Sequence, residues 1–139
     1  MKVGAIMHKG VKSVDLDTPV KKIAAQMRKM DVGAITIKAN SHLVGIVTDR
    51  DIACRAIGNS GDINKMTAKD VMTKSVVCCA ADDDVADTIR LMEKKQIRRL
   101  PVMDSERGLI GMLSLGDISR KVSKSLSGEV LRAVSAHHA

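Results

Sequence analysis

The fold is decided by a stretch that the chain contains twice, GIVTDRDI at residues 45–52 and GMLSLGDI at residues 111–118. These stretches are 66 residues apart, and an upstream match at an offset of 65 pairs Met7 with Met72 and Val20 with Val85. A repeat that cannot bury its apolar face alone buries it against its copy. We therefore expect two related copies that face each other and form two related clefts.

Two polar positions recur within the repeated stretch. Thr48 corresponds to Ser114, and Asp51 corresponds to Asp117. These four residues are the first candidates for the clefts. One carboxylate in each copy does not resemble the asymmetric carboxyl pair of acid–base catalysis. Duplicated identical chemistry suits binding better than catalysis.

Composition limits the classes of protein to consider. The 139 residues include no Phe, Trp or Tyr, so the core must consist of aliphatic residues and nine Met, which pack adaptably. No apolar run approaches the 18 residues or more that a membrane span requires. The first residues lack the apolar run of a signal peptide. We therefore expect a cytoplasmic protein without a membrane segment.

The chain is basic, with 23 Lys and Arg against 16 Asp and Glu and a net charge of +7. Such a charge favours an anionic partner, namely nucleic acid, a phosphorylated small molecule or an acidic surface, or is simply a solvated basic surface. Single-stranded and RNA partners usually stack their bases on aromatic rings. Because the chain has no aromatic ring, we do not expect nucleic acid to be its partner.

Catalytic and metal signatures are absent from the sequence. Cys54, Cys78 and Cys79 do not have metal-site spacing, and we interpret Cys78 and Cys79 as small apolar residues on opposite faces of a strand. The acidic run at residues 82–84 precedes a helix, where carboxylates cap N–H groups. There is no Walker A, G-x-G-x-x-G, H-E-x-x-H or G-x-S-x-G motif. We therefore expect no metal site, no catalytic residue and no enzymatic activity.

Each copy reads as strand, helix, strand, strand, helix, which predicts an α/β protein. In the first copy the predicted strands are 11–14, 34–37 and 43–47, with one helix beginning at Asp17-Thr18-Pro19 and another at 49–57 that ends at Gly58. In the second copy the predicted strands are 76–79, 100–103 and 109–113, with helices at 84–95 and from 115 to about 124.

The predicted division of the chain follows from this pattern. Residues 1–58 form the first copy, 59–66 a polar linker, and 67–125 the second copy. Residues 126–139 form a tail that is a short helix or disordered. Within the tail, Ser127-Gly128 precedes an amphipathic segment at 129–135, which is either frayed or a dimer contact.

These residues also carry a resemblance. LVGIVTDRDI at 43–52, preceded by VGAI at 32–35, resembles a CBS (cystathionine β-synthase) domain. IRRLPV at 97–102, followed by LIGMLSLGDI at 109–118, resembles a second one. The leaders at 6–7 and 71–72 fit the short segment that often precedes each domain. The match covers roughly residues 1–123, and the chain is similar to small stand-alone tandem CBS proteins of bacteria.

The resemblance implies two CBS repeats of β-α-β-β-α order, packed as a pseudo-two-fold module that commonly dimerises into a disc. Adenosyl ligands bind between such repeats: AMP, ADP, ATP, NAD or S-adenosylmethionine. In this family the Asp of the repeated motif holds the ribose hydroxyls, and the Ser or Thr contacts ribose or phosphate. An ionised carboxylate can accept from both hydroxyls of a cis-diol. Backbone groups usually read the adenine edge.

Carried over by position, the resemblance implies two sets of binding residues. The first cleft combines Thr48 and Asp51 with Val76, Val77, Arg98, Arg99 and Pro101. The second combines Ser114 and Asp117 with Lys12, Ser13, Gly33, Ala34 and Ile35. Arg98 and Arg99 would face ligand phosphates. Their counterparts in the other copy are Gly33 and Ala34, and Arg50 and Lys12 would compensate there.

The resulting hypothesis is a regulatory module that binds an adenine nucleotide and reports to an unknown protein partner as a homodimer. The ligand would be regulatory and not a catalytic cofactor. It can shift the module only by binding one arrangement better than another. Alternatives remain open: Asp51 and Asp117 could only cap helices, and Arg98 and Arg99 could be surface charges. The chain could then be an interaction scaffold with empty clefts, or a basic protein associated with nucleic acid.

Overall fold

A computed structural model describes residues 1–59 and 61–135, without the side chains of Ala133 and Val134. Their contacts form two compact units. The first-copy unit is Lys12–Val76, and the second-copy unit combines Met1–Val11 with Val77–Ala139. The predicted linker and tail are therefore described only in part, because Ser60 and residues 136–139 lie outside the described residues.

The elements alternate along the chain in the predicted α/β order. In sequence they are β1 His8–Lys9, β2 Ser13–Asp15, α1 Val20–Met30, β3 Ala34–Ala39, β4 His42–Thr48, α2 Asp49–Asp51, α3 Ala68–Val71, β5 Cys79–Ala80, α4 Val85–Lys95, β6 Arg99–Met103, β7 Leu109–Ser114, α5 Leu115–Lys121 and α6 Lys124–Ser135. Short 3-10 turns cover Val3–Ala5 and Ile63–Lys65. None of the described helices combines the length and the apolar character that crossing a membrane requires.

The first-copy unit is built on a three-stranded sheet of order β2-β3-β4. Strand β2 runs parallel to β3, and β3 runs antiparallel to β4. Asn40 and Ser41 both have positive φ, 50° and 66°, as the tight two-residue turns that match sheet twist require. Helix α1 buries the apolar stripe that its periodicity predicts, because Val20, Ile23 and Met27 belong to the core.

Helix α1 begins without a capping side chain, one residue after the predicted start at Asp17-Thr18-Pro19. Pro19 occupies the cap position without a side-chain bond, so it precedes the first turn and does not lie in it. The first helical N–H donates instead to the carbonyl of Met66 at 3.0 Å. The Thr18 hydroxyl donates to Asp15 at 3.1 Å and is therefore engaged in the preceding turn.

The helix after β4 covers the predicted range but changes its type. Helix α2 is a single turn that continues as a π-helix over Ile52–Ile57. Gly58 ends it with φ of −74°, so the left-handed conformation common at helix ends is not used here. Short π-helical segments are rare and occur frequently at functional sites.

The second-copy unit repeats the same sheet and adds one strand, in the order β1-β7-β6-β5. At the start of α4 the Asp84 side chain accepts from the Ala86 N–H at 3.0 Å, which confirms the predicted capping role. The described part of the tail forms a helix, α6, which begins at Lys124 and continues through Ser127-Gly128. Val130 is 1% exposed within the core of this unit, so it is not available as a dimer contact.

Each leader packs on the opposite copy. Val3 and Ile6 belong to the core of the second-copy unit. Ala68, Val71 and Met72 belong to the core of the first-copy unit. The units defined by contacts thus differ from the predicted sequence repeats. The boundaries of the repeats themselves remain a prediction.

The strand glycines of the repeated motif leave room for these leaders. A Cβ placed on Gly45 would lie 2.5 Å from Met72 Sδ. One placed on Gly111 would lie 2.7 Å from Met7 Sδ and 2.9 Å from the carbonyl oxygen of His8. The second contact is with backbone, which cannot rotate away. A glycine is therefore required at this point of the motif by the close approach of the leader.

Replacing Gly111 with alanine tests this packing. We expect Gly111→Ala to lower the free energy of unfolding by about 1–3 kcal/mol, the usual cost of forcing a methyl group into a packed site. Gly128→Ala is the matched control, since nothing lies within 4 Å of a Cβ there and alanine favours a helix by about 0.5–1 kcal/mol. Urea unfolding followed by circular dichroism measures both. Equal stability of the two variants would contradict the leader contact.

Candidate functional site

Thr48 and Asp51 form a reciprocal pair where β4 ends and α2 begins. Asp51 Oδ2 accepts from the Thr48 N–H at 2.9 Å, and Thr48 Oγ1 accepts from the Asp51 N–H at 3.1 Å. This capping box satisfies two N–H groups that a helix start leaves unpaired. It also fixes the position of the Asp51 carboxylate, which belongs to a residue only 8% exposed.

Ser114 and Asp117 form the same box where β7 meets α5. Asp117 Oδ2 accepts from the Ser114 N–H at 2.9 Å and from the Ser114 hydroxyl at 2.8 Å. Ser114 Oγ in turn accepts from the Asp117 N–H at 3.1 Å. The repeated motif therefore forms the same structure in both copies, and both aspartates cap a helix. A carboxylate offers about four acceptor positions, so capping through Oδ2 leaves Oδ1 for other partners.

The second carboxylate oxygen has different surroundings in the two copies. Asp51 Oδ1 lies 3.4 Å from Thr73 Oγ1 and 3.8 Å from Arg55 Nε. Asp117 Oδ1 accepts from Arg120 Nη2 at 3.1 Å. Oδ1 of Asp51 thus has only long contacts. Oδ1 of Asp117 is instead bound by Arg120, whose side chain is 74% exposed.

Each copy has one arginine close behind the aspartate, and its position differs because Cys54 stands three residues after Asp51 where Arg120 stands three residues after Asp117. Arg120 follows Asp117 by three residues in the α-helical α5. Arg55 follows Asp51 by four residues, within the wider π-helical turn. The spacing of three or four residues behind a carboxylate is a sequence signal for such a pair, and it could have identified both arginines. Thr73 is 22 residues from Asp51 and gives no local signal.

Arg55 also contacts the chain that leads towards the second copy. Its Nη1 donates to the carbonyl of Val71 at 3.3 Å and to that of Met72 at 3.0 Å. These carbonyls belong to the end of α3, where a cation is electrostatically favoured. One guanidinium therefore joins Asp51 to the leader of the second copy.

The predicted residues at the starts of β2 and β3 lie at the same end of the sheet as Thr48. Ala34 is the register partner of Thr48, and the Gly33 carbonyl accepts from the Asp49 N–H at 3.0 Å. Ser13 stands opposite Thr36, and their hydroxyl oxygens are 2.6 Å apart. Lys12 and Arg50 are exposed, Val76 is half-buried, and Ile35 is buried at 2% exposure.

The second-copy unit places its predicted residues equivalently. Arg99 is the register partner of Ser114, and the Arg98 carbonyl accepts from the Leu115 N–H at 2.9 Å. Arg98 and Arg99 therefore occupy the places of Gly33 and Ala34, as the sequence alignment of the copies predicts. Arg98 is exposed and Arg99 half-buried, while Val77 is half-buried and Pro101 buried.

Each predicted cleft draws residues from both units, so the grouping of these residues into two clefts stays a prediction. What the structure brings together lies within each unit. In the first-copy unit it gathers Thr48, Asp51 and the starts of β2 and β3. In the second-copy unit it gathers Ser114, Asp117 and the start of β6. The capping box adjoins the start of the central strand in both cases.

Burial affects two of the three cysteines. Burial raises the pKa of the Cys78 thiol. Burial above all, and then the negative charges of Asp83 and Cys78, raises the pKa of Cys79 to about 12. Both thiols therefore stay protonated near neutral pH, in agreement with their interpretation as small apolar residues. The described residues include no group of three or more His, Cys, Asp or Glu that could hold a metal ion.

Comparison with known proteins now adds to this geometry. A family model of the CBS domain matches residues 3–57 and again residues 68–124. The chain belongs to the CBS domain family. The prediction of an α/β protein with two tandem CBS repeats is thereby confirmed.

Three relatives align with most of this chain. The CBS domain-containing protein YhcV of Bacillus subtilis is 32% identical over 126 residues, which cover 90% of this chain and 89% of that protein. Hypoxic response protein 1 of Mycobacterium tuberculosis is 31% identical over 130 residues, covering 93% and 90%. An uncharacterized protein of Methanopyrus kandleri is 29% identical over 84% of this chain, which spans only 60% of that protein.

Solved structures show the same fold. The CBS domain protein TA0289 of Thermoplasma acidophilum, of unknown function, has a TM-score of 0.85 at 25% identity, over 96% of this chain and 75% of that chain. The CBS pair of protein MJ0100, in complex with 5′-methylthioadenosine and S-adenosyl-L-methionine, has a TM-score of 0.79 at 28% identity, over 93% and 98%. CBSX2 in complex with AMP has a TM-score of 0.74 at 25% identity, over 92% and 98%.

Thiol alkylation tests the protonation states of the cysteines. Only the thiolate reacts, and a thiol of pKa about 12 is ionised to about one part in ten thousand at pH 8. We expect iodoacetamide at pH 8 to modify exposed Cys54 while Cys79 stays unmodified, as measured by peptide mass spectrometry. The same reaction in urea, where all three thiols are accessible, is the control. Equal rates for Cys54 and Cys79 in the folded protein would contradict the raised pKa.

Proposed function

We propose that this protein is a regulatory module that binds adenosyl ligands, with Asp51 and Asp117 each accepting hydrogen bonds from the ribose of one ligand. The observation that carries the proposal is the duplicated capping box. It holds Oδ2 of each carboxylate against the backbone and leaves Oδ1 with side-chain partners only. A carboxylate fixed in this way is ready to accept a cis-diol without losing further side-chain freedom.

Ribose recognition accounts for what the ligands of related proteins have in common. The MJ0100 pair holds 5′-methylthioadenosine and S-adenosyl-L-methionine, and CBSX2 holds AMP. Only AMP carries a phosphate, whereas all three contain adenosine. A site built on a carboxylate for the ribose and on open strand ends for the base would accept each of them. Such a site needs no aromatic ring, and this chain has none.

The two sites differ in the group that competes for the aspartate. In the Asp51 site a ribose hydroxyl replaces the 3.4 Å contact with Thr73. In the Asp117 site it displaces or shares the 3.1 Å bond from Arg120. Breaking a charge-assisted bond costs more than lengthening a weak contact. We therefore expect the Asp51 site to bind adenosine itself more tightly than the Asp117 site.

Regulation would run through the leader of the second copy. Arg55 contacts Asp51 and also the carbonyls of Val71 and Met72. A ligand that changes the charge environment of Asp51 changes that of Arg55 as well. Ligand binding shifts the protein only to the extent that it favours one arrangement. The contacts of Arg55 could change when a ligand binds at Asp51. A protein partner would then recognise the changed arrangement of the leader.

A second candidate function is an interaction scaffold without ligand. It is favoured by the capping boxes themselves, because each aspartate already has a structural role at a helix start. The same box at Thr67 and Asp70, where the Thr67 N–H donates to Asp70 at 2.8 Å, shows that this chain also uses the arrangement outside the repeated motif. The Asp70 box is for that reason the matched control for a ligand test.

Calorimetric titration of AMP against Asp51→Ala, Asp117→Ala and Asp70→Ala separates the two functions. We expect Asp51→Ala and Asp117→Ala each to lose one site, with a cost of about 1.5–3 kcal/mol, or about ten- to more than a hundredfold in Kd. Asp70→Ala loses only a helix cap, worth about 0.5–2 kcal/mol of stability, and should bind AMP as the wild type does. Because the chain has no Trp or Tyr, absence of a 260 nm band verifies that the starting protein is free of nucleotide.

The outcomes are distinct. Wild-type affinity in both motif variants would refute ribose binding by the aspartates and favour the scaffold. Loss of affinity in Asp70→Ala as well would show that destabilisation, and not a missing acceptor, causes the effect.

Removal of the arginine pair at the start of β6 tests phosphate recognition. We expect Arg98→Ala with Arg99→Ala to weaken ATP and ADP by tenfold or more and adenosine by less than threefold, because the arginines act on phosphate charge. Lys94→Ala with Lys95→Ala removes the same charge from α4 and is the control. Calorimetry with adenosine, AMP, ADP and ATP measures the series, and equal losses for adenosine and ATP would refute the assignment.

Combination with the aspartate variants identifies the cleft that uses the arginines. The family resemblance pairs them with the ligand at Asp51, whereas Arg99 is the register partner of Ser114 within its own unit. If the resemblance holds, the arginine effect disappears in Asp51→Ala and persists in Asp117→Ala. The reverse result would assign the arginines to the Asp117 ligand.

A further inference from the structure

The exposed face of α1 carries only positive charge. Lys21, Lys22, Arg28 and Lys29 are all exposed, and at about 100° per residue they fall within an arc of roughly 120° along about 12 Å of helix. Ala25 lies between them and is also exposed. These four cations, here named the basic stripe, form no ion pair with any residue that the structure describes.

The corresponding helix of the second copy shows that the fold does not require such a face. Helix α4 has the same length and the same buried stripe. Its exposed face alternates in sign, with Asp87, Arg90, Glu93, Lys94 and Lys95, and Arg90 pairs with Asp87 at 2.8 Å. The two corresponding helices can therefore be compared directly: α1 contains no acidic residue, whereas α4 does.

Two of the four cations stand where the helix itself disfavours them. Lys21 and Lys22 lie in the first turn of α1, next to the positive end of the helix dipole. That turn has no acidic residue and no capping side chain, whereas α4 has Asp84 as its cap and Asp87 in its first turn. These two lysines oppose the preference of a helix N-terminus for acidic residues, and no contact compensates for this. Such positions indicate a role other than helix stability.

The composition of the basic stripe favours a phosphate backbone over a protein surface. Protein interfaces are built around apolar and aromatic residues, and lysine is depleted in them. The stripe offers four cations around one alanine and no apolar anchor. The phosphates of a nucleic-acid duplex require only positive charge, and their binding releases counterions. Our expectation against nucleic acid rests on base stacking, which a duplex partner does not need.

We propose that the basic stripe of α1 is a docking surface for the phosphate backbone of duplex nucleic acid, bound without sequence preference. The inference is independent of adenosyl binding, because none of its residues belongs to the capping boxes or to the predicted clefts. It adds a macromolecular anion to the small-molecule ligand as a second partner of the chain.

Fluorescence anisotropy of a short labelled DNA duplex with the full chain tests the proposal. The dissociation constant is measured between about 50 and 200 mM salt, where each phosphate contact contributes about 0.9 to the slope of log K against log salt. We expect Lys21→Gln with Lys22→Gln to reduce that slope by about two and to weaken binding about tenfold or more at the lowest salt. Lys94→Gln with Lys95→Gln has the same net charge and should change the affinity less than twofold.

A charge reversal separates loss of binding from loss of folding. Lys21→Glu with Lys22→Glu places acidic residues at the helix start, where they are favoured, so the thermal midpoint should stay equal or rise while duplex binding is lost. AMP binding should be unchanged in this variant, which distinguishes the stripe from the adenosyl sites. Duplex binding that persists in this variant would overturn the proposal.

Three further results would overturn the proposal. Equal losses in the α1 and α4 variants would show that net charge alone attracts the duplex. An unchanged salt slope in Lys21→Gln with Lys22→Gln would exclude phosphate contacts by these lysines. Polyglutamate that binds as tightly as the duplex, and is lost in the same variant, would assign the stripe to an acidic protein.

Discussion

The contact between a leader methionine and a strand glycine is the interaction on which both cores depend. Met72 lies against Gly45, and Met7 lies against Gly111, closely enough that a Cβ added at either glycine would force its neighbours to shift. The leader beside each methionine then fills a core, with Val3 in one unit and Val71 in the other. The same approach brings the second leader to the arginine that faces Asp51. In the first-copy unit, core packing and the surroundings of Asp51 therefore depend on the same leader.

Much of this arrangement follows from local sequence, and the rest depends on distant partners. The periodicity of α1 and α4 and the cap at Asp84 are local, so the sequence predicts them. The start of α1 depends on the Met66 carbonyl, which no nearby residue announces. The tail helix continues through Ser127-Gly128 because Val130 is buried in the core. An apolar leader likewise does not reveal which copy it will enter.

The candidate site shows the same division between local and distant causes. The recurrence of Thr48 and Asp51 as Ser114 and Asp117 predicts a shared geometry, and the capping box is that geometry. The sequence shows an arginine four residues after Asp51 and three residues after Asp117, but it does not show that the helix after Asp51 widens to a π-helix. The two copies of the motif thus differ in the side chain that contacts the second oxygen of the aspartate.

The placement of the leaders separates two boundaries that are usually taken to coincide. Duplication copied a segment that includes its leader, whereas a complete core requires the leader of the other copy. A fragment that ends at Gly58 would lack Ala68 and Val71 from its own core, while a fragment of Lys12–Val76 would contain every buried residue of that cluster. The boundaries of the sequence repeat therefore differ from those of the segment that contains a complete core, Lys12–Val76. Recombination between CBS genes at the repeat boundary would exchange sequence without exchanging a whole core.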